Sequence, residues 1–391
     1  MVSDNAPIPF GRPMLDSDDI DAVVQILSGT TLVHGPVTMS FEQAFADRVG
    51  TQHAISVSSC TAALHLSLLV NDIGPGDEVL VPAMTHVATA HAIEYCGAKP
   101  VFVDVEDDTG NICPNLVEAS LTRRTKAVMV VHFLGLPCDM NRILAIAEEC
   151  GAFVVEDCAL ALDATYAGQK SGSLGLTGCF SFYPIKHMTT IEGGMVTTND
   201  ESTARAITQR KAFGYDKSLG ERTKPGIYDV SALGYNYRMN EVEAAIGLAQ
   251  LSKLDGHQTA RAANYRVLRE CLQECENVTV FEPAKNESIS SHYCLNAILP
   301  RDGSIDRDAV VSDLKAAGIG TSVHYPRAVP STQYYREKYG YRDGQFPIAE
   351  WMAAKTISLP VGPHVGPGDA ERIGVAFKAA IETARRGTTT D

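Results

Sequence analysis

The sequence contains no Cys-x-x-Cys pair, although it has ten cysteines in 391 residues. They are scattered, and several, such as Cys96, Cys158 and Cys179, sit inside apolar runs. Cys271 and Cys275 are four apart on a predicted helix, a spacing that shares a face without making a ligand pair. We therefore expect no zinc or other metal site and no disulfide framework, but buried free thiols in a reducing compartment.

Long apolar runs and an excess of positive charge are also missing. No apolar stretch approaches the length that spans a membrane, and the first residues lack the cationic start and apolar core of a signal peptide. We therefore expect a soluble, cytoplasmic protein. The formal net charge of -14 argues against broad binding to nucleic acid or anionic membranes, because the summed field repels polyanions. A small anionic substrate would need a local basic pocket.

Short β-branched runs alternate with helical periodicity through the first two thirds of the chain, a pattern typical of a parallel α/β sheet. Because 391 residues exceed one ordinary core, we predict a large domain at 1–255 and a smaller α+β domain at 256–391. A long helix from about 240 past 272 is predicted between them. The other predicted strands are 54–57, 78–82, 100–103, 127–132, 153–156, 179–183, 195–198, 278–281 and 292–299, and the other helices are 18–27, 61–70, 87–95, 140–150, 201–212, 307–317 and 369–383.

Lys186 lies in the segment SFYPIKH at 181–187, just before a glycine turn at 192–194, and Asp157 follows the apolar strand FVVE. A lysine held away from bulk water has a lowered pKa, so that its amine can attack an aldehyde. A carboxylate at the carboxyl end of a strand can keep a pyridine nitrogen protonated. The pair suggests pyridoxal phosphate joined to Lys186, although a surface lysine and a helix-capping aspartate would explain either residue alone.

The segment SSCTAA at 58–63 follows a strand and opens a helix, so its backbone N–H groups and the helix dipole suit a bound phosphate. Helix capping by Ser59 or Thr61 explains the same residues equally well. The phosphate interpretation is strengthened by the other two motifs, since pyridoxal phosphate requires a phosphate cradle, an acid at a strand end and a lysine in a turn. Ser181 offers a further hydroxyl for the phosphate.

Further segments along nearly the whole chain complete a family pattern: Gly35-Pro36 with Phe41-Glu42, 58–64, 74–79 (GPGDEV), 97–105 (GAKPVFVDV), 156–157, 180–194, 236–239 (NYRM), 244–247 (AAIG) and 358–360 (SLP). In this order and spacing, the sequence resembles the sugar aminotransferases of the DegT/DnrJ/EryC1/StrS type, which have the aspartate aminotransferase fold. The resemblance implies fold type I of the pyridoxal phosphate enzymes. In that α/β fold a mixed, mostly parallel seven-stranded sheet is flanked by helices, and a smaller α+β domain follows.

The resemblance also implies roles for individual residues. Lys186 is similar to the lysine that bonds the cofactor and moves the proton between substrate and cofactor carbon, and Asp157 to the partner of the pyridinium nitrogen. The phosphate ligands implied are Thr61, Ala62 and Ser181. An asparagine placed like Asn236 reaches the cofactor phosphate of the neighbouring subunit, which implies a homodimer with shared active sites. Arg238 is implied to meet an acidic donor or a substrate phosphate, with a structural salt bridge as the alternative.

Three positions depart from the family pattern. Cys60 stands where glycine usually precedes the phosphate-binding threonine, which restricts the turn but leaves its N–H donors usable. His86 replaces the aromatic residue that stacks on the cofactor ring, and an imidazole can lie flat in the same way. Leu160 replaces a glutamine or histidine that hydrogen-bonds the phenolic oxygen of the cofactor, a bond that leucine cannot make. None of the three removes the essential chemistry.

Two histidines, His187 and His324, are candidates for contacts in the substrate pocket. His187 follows the lysine directly, and we expect it to pack or to line the cofactor surroundings, with a substrate contact as the alternative. The segment His324-Tyr325-Pro326 is predicted to end a strand and to meet the sugar or nucleotide, against simple core packing. His132, His65 and His292 form no metal-spaced set, and no role is assigned to them.

The function implied is transfer of an amine, with glutamate as donor, to a keto group of a nucleotide-linked deoxysugar. A sugar dehydratase on the same scaffold is the alternative reaction, but related dehydratases have histidine where this chain has Lys186. A non-catalytic regulator that kept the fold is a third reading, which retention of Lys186 and Asp157 disfavours. Residues 216–229, with Lys217, Arg222 and Lys224, are predicted to form a mobile loop that clamps a diphosphate or carries only solvated charge.

Overall fold

The computed structural model describes residues 6–217, 224, 227–276, 278–285 and 287–387. Its helices are α1 (Ser17–Leu27), α2 (Pro36–Val49), α3 (Cys60–Leu69), α4 (Val87–Tyr95), α5 (Pro114–Ala119), α6 (Met140–Glu149), α7 (Glu201–Arg210), α8 (Glu241–Gln273), α9 (Arg307–Ala316), α10 (Gln333–Tyr339), α11 (Pro347–Lys355) and α12 (Asp369–Gly387). Its strands are β1 (His53–Val57), β2 (Glu78–Pro82), β3 (Lys99–Val103), β4 (Thr125–Val131), β5 (Phe153–Asp157), β6 (Thr165–Tyr166), β7 (Gln169–Lys170), β8 (Thr177–Ser181), β9 (Gly194–Thr198), β10 (Thr279–Val280), β11 (Ala284–Lys285), β12 (Ser288–Ile289), β13 (Leu295–Ile298) and β14 (Thr356–Leu359).

Seven strands form one large sheet in the order β1-β9-β8-β5-β4-β2-β3. The pairs β8 with β5, β5 with β4, β4 with β2 and β2 with β3 are parallel, whereas β9 runs antiparallel to both of its neighbours. The predicted α/β class and the mixed, mostly parallel seven-stranded sheet are therefore confirmed. Because the strands other than β9 share one direction, their carboxyl ends meet at one edge of the sheet.

The large sheet is buried on both faces because its strands carry apolar residues at odd and even positions alike. In β2, Val79 and Val81 belong to the core cluster that includes α3 and α4, whereas Leu80 faces the cluster that includes α5 and α6. Ile93 of α4 and Ile143 of α6 represent the two helical layers. The result is a helix–sheet–helix sandwich with one strand edge left open for function.

The long predicted helix is confirmed as α8, and it links two cores. Its first part packs with α2 through Ala244 and Leu254, while its last turns, with Leu268 and Leu272, join the core of the three-stranded sheet β10-β13-β14. Helices α9 and α12 cover that second core. The domain boundary near residue 255 falls within α8 and stays a prediction.

The structure differs from the sequence prediction in several segments. The strand expected to end at 324–326 does not form: residues 320–326 are irregular, and Ser322 makes only an isolated bridge to Ser358. Helices α2, α5, α10 and α11 were not predicted. Helices α10 and α11 pack on the large sheet, where Tyr335 of α10 and Phe346, the N-cap of α11, contact Phe102 at ring-centroid distances of 5.2 and 6.4 Å.

The predicted loop at 216–229 is described in part. Its base is closed by backbone hydrogen bonds, since Asp216 N–H donates to Asp229 O at 2.9 Å and Tyr215 bridges Val230. Lys217 and Lys224 belong to the described residues, whereas Arg222 lies outside them. The predicted diphosphate clamp stays a prediction.

Candidate active site

The register of the large sheet brings the three predicted fixed points to one edge. Ser181 at the end of β8 pairs with Gly194 at the start of β9, and Gly194 pairs with Val57 at the end of β1. Asp157 at the end of β5 pairs with Cys179, two residues before Ser181. The chain between β8 and β9 holds the lysine, and the chain after β1 opens α3. The site therefore lies at the carboxyl edge, where ligands of open α/β sheets bind.

Lys186 is half-buried, and its ammonium position is set by packing rather than by an ion pair. Its Nζ lies 5.1 Å from the centroid of the Tyr293 ring, and none of the hydrogen bonds among the described residues involves Nζ. Burial lowers the pKa of Lys186, while the nearby Cys60 and Asp157 oppose the change. The predicted shift of this amine toward its neutral, nucleophilic form agrees with this environment.

Asp157 is buried and accepts two hydrogen bonds from its own surroundings. The Thr89 hydroxyl donates to Oδ2 at 2.8 Å, and the Ala159 N–H donates to Oδ1 at 3.0 Å. Thr85 lies 2.8 Å from the Thr89 hydroxyl and extends the chain of hydrogen bonds. Sequence reasoning missed both threonines. Their four-residue spacing, which brings the two side chains together at the start of α4, was the available signal.

The predicted phosphate cradle is the first turn of α3, which lies against β9. Ser59 is the N-cap, and its hydroxyl accepts from Ala62 N–H at 3.1 Å. Capping and anion binding are compatible here, because the first N–H groups of a helix have no acceptor within the helix. A Cβ on Gly194 would lie 2.5 Å from Ser59 C and 2.6 Å from Cys60 N. Glycine at 194 therefore permits the close approach of the two segments.

Two of the three departures from the family pattern have a clear packing reason. The Cys60 thiol donates to Cys179 O at 3.6 Å, and burial raises its pKa well above the ordinary value. Its side chain thus serves the core, leaving the backbone N–H on the cradle. Leu160 is buried, and its carbonyl accepts from the Ser291 hydroxyl at 2.8 Å.

His86 is fixed at the start of α4. Its Nδ1 accepts from Ala88 N–H at 3.2 Å, so the neutral ring carries its proton on Nε2. Burial is the main cause of the lowered pKa of His86, and the nearby Asp157 opposes this change. The ring meets Tyr325 edge-on at 5.8 Å. His86 is thus part of the surroundings of Asp157.

The two predicted residues of the C-terminal half reach the same surroundings. His324 is buried, with its ring 5.6 Å from that of Tyr293, and its Nδ1 donates to the Ser358 hydroxyl at 2.8 Å. Burial lowers the pKa of His324 to about 3, with Lys186 and His86 adding to the effect. Burial, followed by Asp157, raises the pKa of Tyr325.

His187 points away from open space. It is buried, its Nε2 donates to Ser291 O at 3.1 Å, and its ring lies 5.7 Å from that of Tyr293. Burial lowers its pKa well below the ordinary histidine value. This environment agrees with the packing role expected for His187, and the alternative substrate contact stays a prediction.

Asn236 and Arg238 lie on the surface of the single chain. Arg238 donates to Asn236 Oδ1 from Nε at 3.0 Å and from Nη2 at 2.7 Å, and its guanidinium lies 4.7 Å from the Phe213 ring centroid. Asn236 is exposed. The segment is tied to the cradle, because Ser58 N–H donates to Tyr237 O at 2.8 Å.

Among the described residues, His132, Glu156 and Cys158 lie close enough to share a metal ion. Cys138 N–H donates to His132 Nδ1 at 3.1 Å, and His132 Nε2 donates to Glu156 at 2.9 Å. The carboxylate also accepts three backbone N–H groups at 2.7–2.8 Å, from residues 172, 174 and 175. Both ring nitrogens and the carboxylate are thus satisfied within the protein.

The comparisons with known proteins agree with this geometry. The model of the DegT/DnrJ/EryC1/StrS aminotransferase family matches residues 13–378. The chain is 36% identical to protein MJ1066 of Methanocaldococcus jannaschii over 390 residues, which cover 98% of this chain and 100% of that protein. Spr1654 of Streptococcus pneumoniae, a protein described as a sugar aminotransferase, superimposes in its PMP form with a TM-score of 0.92 at 27% identity, covering 98% of this chain and 100% of the other. DesI, solved in the presence of its TDP-sugar product, gives a TM-score of 0.88 at 30% identity, with 99% of this chain and 95% of that chain covered.

The chain belongs to the DegT/DnrJ/EryC1/StrS aminotransferase family. It is a transaminase with the sugar aminotransferase fold, and its cofactor is pyridoxal phosphate. The residues present fit that group: a half-buried amine, a buried carboxylate and a helix N-terminus closed in by Gly194 lie at one sheet edge. Among the described residues, no helix has the length and apolar character that crossing a membrane requires.

Proposed function

We propose that the transaminase moves an amine from L-glutamate to a keto group of a nucleotide-linked deoxysugar. Membership of the family and the likeness to DesI, which was solved with a TDP-sugar, support this acceptor class. The observation that carries the proposal is the environment of Lys186. Burial lowers the pKa of its amine, which lies at the same sheet edge as Asp157 and the start of α3. The cofactor, when bound, supplies an electron sink for the amine transfer.

The residues of this chain divide the remaining work. Lys186 would hold the cofactor through its aldehyde, and its Nζ would carry the proton that the amine transfer moves. Asp157 holds a proton on the pyridine nitrogen, and Thr89 keeps the carboxylate oriented through its hydroxyl. The N–H groups of Thr61 and Ala62, the neighbouring Cys60 and the Ser181 hydroxyl surround the phosphate.

Substrate selection is proposed for the residues around this centre. The His86 ring, fixed by its bond to Ala88 N–H, would line the pocket beside the cofactor ring. His324 and Tyr325 meet the sugar, since their rings lie beside Tyr293 and His86, respectively. Arg238 binds an acidic donor or a substrate phosphate. His187 acts through packing or as a minor substrate contact.

Borohydride reduction of the cofactor-loaded protein, followed by peptide mapping, tests the central assignment. We expect the label on Lys186, and a label on another residue or on none would refute it. A panel of amino donors and keto-sugars, free and nucleotide-linked, then tests the substrate class. Conversion of free sugars and nucleotide-linked sugars at equal rates would contradict the nucleotide requirement, and a better donor than glutamate would contradict the donor.

We further propose a homodimer with shared active sites. Asn236 is exposed in the single chain, and its segment adjoins exposed apolar side chains, among them Leu32, Val33, Phe213 and Leu233. Leu32 O accepts from Glu241 N–H, and Arg238 joins His34 to Phe213, so these residues form one contiguous face. Exposed apolar patches of this kind mark association surfaces. Asn236 would reach the partner's cofactor phosphate.

Mixing two inactive variants tests the shared site. In a hybrid of Lys186→Ala and Asn236→Ala chains, one of the two sites keeps both residues, so random mixing should restore about one quarter of the activity. Lys186→Ala mixed with Asp157→Ala is the matched control, because those residues act within one chain. Recovery in the control, or none in the test pair, would contradict the shared site.

We also propose that the protein resides in the reducing cytoplasm, because of the state of its cysteines. All ten are free thiols in the structure, and five are buried. Such thiols are typical of proteins kept in reducing compartments. Localisation of the tagged protein in its own cells tests this, and its recovery outside the cytoplasm would contradict it.

A further inference from the structure

Arg261 on α8 is a buried cation whose partners are carbonyl groups. It is 5% exposed, and its Nη1 donates to Tyr293 O at 3.0 Å while Nη2 donates to Lys186 O at 3.2 Å. No aspartate or glutamate of the described residues forms an ion pair with it or shifts its pKa. Burying a charge without a carboxylate partner costs free energy. A buried arginine of this kind therefore suggests that its hydrogen bonds have a specific role.

The guanidinium keeps its charge in this setting. Burial lowers the pKa of Arg261 to about 10, so the group is protonated at neutral pH. Burial is the main cause of the lowered pKa values of four histidines, namely His187, His257, His292 and His364, and the charge of Arg261 adds to the effect.

The third nitrogen of the guanidinium has no partner in the part of the chain that the structure describes, and a small cavity lies beside the residue. Arg261 Nε is buried without an acceptor among the described residues. Arg261 is also one of the residues that line a small cavity of about 10 Å³. The cavity is lined by the N-terminal segment at 10–12 and by Ile185, Tyr293, Gly362 and His364. The lysine segment, α8 and the N-terminal segment thus meet at one side chain.

We propose that Arg261 is a positioning residue for Lys186. Both backbone groups of Lys186 are held, because its N–H donates to Tyr183 O at 2.9 Å and its carbonyl accepts from Arg261. The same guanidinium holds the carbonyl of Tyr293, the residue whose ring lies beside Lys186 Nζ. One planar group therefore fixes both the direction of the lysine side chain and the surface on which it rests. This inference depends on the proposed role of Lys186.

Two substitutions separate the components of this role. Arg261→Lys keeps the charge but loses the planar fork that spans two carbonyls, and Arg261→Met keeps the aliphatic length without charge or donors. Arg269→Met is the matched control, because Arg269 lies two turns further along α8 and pairs with Glu282 instead. Thermal unfolding of each variant shows whether it is folded.

The primary measurement needs no cofactor. The cofactor-free protein is treated with trace formaldehyde and cyanoborohydride from pH 6 to 10, and methylation of Lys186 is quantified by peptide mass mapping. We expect both Arg261 variants to change the Lys186 labelling rate at pH 8 by several-fold, whereas Arg269→Met leaves it unchanged. In the loaded enzyme, kcat should fall about tenfold to a hundredfold with the donor KM nearly unchanged, as expected for a misplaced reacting group.

Several results would overturn the proposal. One is an unchanged Lys186 labelling profile in folded Arg261 variants, which would make the residue purely structural. An equal change of the Lys186 labelling rate in Arg269→Met would also show that the effect is not specific to Arg261. If both Arg261 variants are insoluble, the residue is required for folding instead. Failure of the Lys186 role itself is recognised separately, because borohydride mapping would then label another residue while the methylation assay still reports on Arg261.

Discussion

The Thr89 hydroxyl donates a hydrogen bond to Asp157 Oδ2 at 2.8 Å, which ties the strand-end carboxylate of β5 to the first turn of α4. Thr89→Val removes this donor and keeps the shape, so Asp157 retains only the Ala159 N–H. Loss of a hydrogen bond to a buried charged group costs about 1.5–3 kcal/mol. We expect kcat/KM to fall at least about tenfold, which steady-state assays measure.

Thr89→Ser is the control for that prediction, since it restores the hydroxyl at the same place. Near-normal kcat/KM in the serine variant, together with a loss in the valine variant, would assign the effect to the hydrogen bond. Equal kcat/KM in Thr89→Val and the parent protein would contradict the role of Thr89 in orienting Asp157.

The lowered pKa of Lys186 has a consequence for stability. Burial holds the pKa of the folded amine below the 10.5 of the unfolded chain. Between these two values the unfolded chain binds the extra proton, so the free energy of unfolding rises with pH. The penalty for burying Lys186 is therefore full below the folded pKa and disappears as the pH approaches 10.5. In the cofactor-free protein, Lys186→Met should be more stable than the parent at low pH, with the difference in Tm shrinking as pH rises.

Tm series of the two cofactor-free proteins from pH 6 to 10 measure this difference directly. An exposed lysine, Lys126 on β4, supplies the control Lys126→Met, whose Tm difference from the parent should not shrink in this way. A Tm difference for Lys186→Met that stays constant across the range would contradict a lowered pKa.

Glu241, the first residue of α8, caps the N-terminus of a different helix, α2. Its buried carboxylate accepts from the N–H groups of Gly35, Val37 and Thr38 at 2.9–3.2 Å, and from the Thr38 hydroxyl, at the beginning of α2. Glu241→Gln removes the charge that complements the helix dipole, and we expect a loss of about 1–2 kcal/mol in the free energy of unfolding. Urea unfolding measures it.

The control for the cap is Glu201→Gln. Glu201 is exposed at the first turn of α7, where it pairs with Arg205, and such surface pairs contribute about 0–1 kcal/mol. Equal urea midpoints for Glu241→Gln and Glu201→Gln would show that the contacts of Glu241 add nothing beyond a surface charge.

Gly194 and Gly256 predict opposite effects for the same substitution. A Cβ on Gly194 meets the backbone of Ser59 and Cys60, whereas a Cβ on Gly256 in α8 has no heavy atom within 4 Å beyond its own stretch of helix. Gly194→Ala should therefore weaken cofactor binding by displacing the first turn of α3, and lower stability by about 1–3 kcal/mol. Gly256→Ala should raise stability by about 0.5–1 kcal/mol, because alanine favours a helix.

Cofactor titration and Tm measurements on both variants check this pair. Unchanged cofactor affinity in Gly194→Ala would mean that the cradle does not depend on the contact with β9. A lower Tm in Gly256→Ala would mean that this part of α8 packs against something other than the contacts of the single chain.

Local patterns predicted much of this fold, because the strands of the large sheet carry continuous apolar runs bounded by turn residues. The positions of Lys186 and Asp157 followed from the same strands, since Asp157 ends β5 and Lys186 lies in the chain that follows β8. The roles of Asn236, Cys60 and Arg238 came from a family resemblance and not from their own chemistry. Long-range contacts were out of reach: nothing near Glu241 in the sequence signals that it caps a helix some 200 residues earlier, and Arg261 looks like any charged helix residue.

The missed elements share a physical cause. Residues 320–326 have a strand-like composition, yet only Ser322 finds a partner strand, and that choice is decided by β14 more than thirty residues later. Helix α2 begins with proline and an ordinary composition, and its start is stabilised from α8. Such features depend on residues that become neighbours only after folding.

The reversed direction of β9 has a consequence for how this molecule can diversify. Because β8 leaves the sheet and β9 re-enters it at the same edge, the lysine-bearing chain between Ser181 and Gly194 is a closed loop anchored at both feet. Extra residues between Ser181 and Gly194 would crowd the candidate active site. By contrast, Tyr215 and Val230 form a bridge away from that edge, so the chain that they enclose begins and ends outside it. Changes of length are therefore easier to accommodate beyond that bridge, whereas changes between Ser181 and Gly194 are easier as exchanges of single side chains.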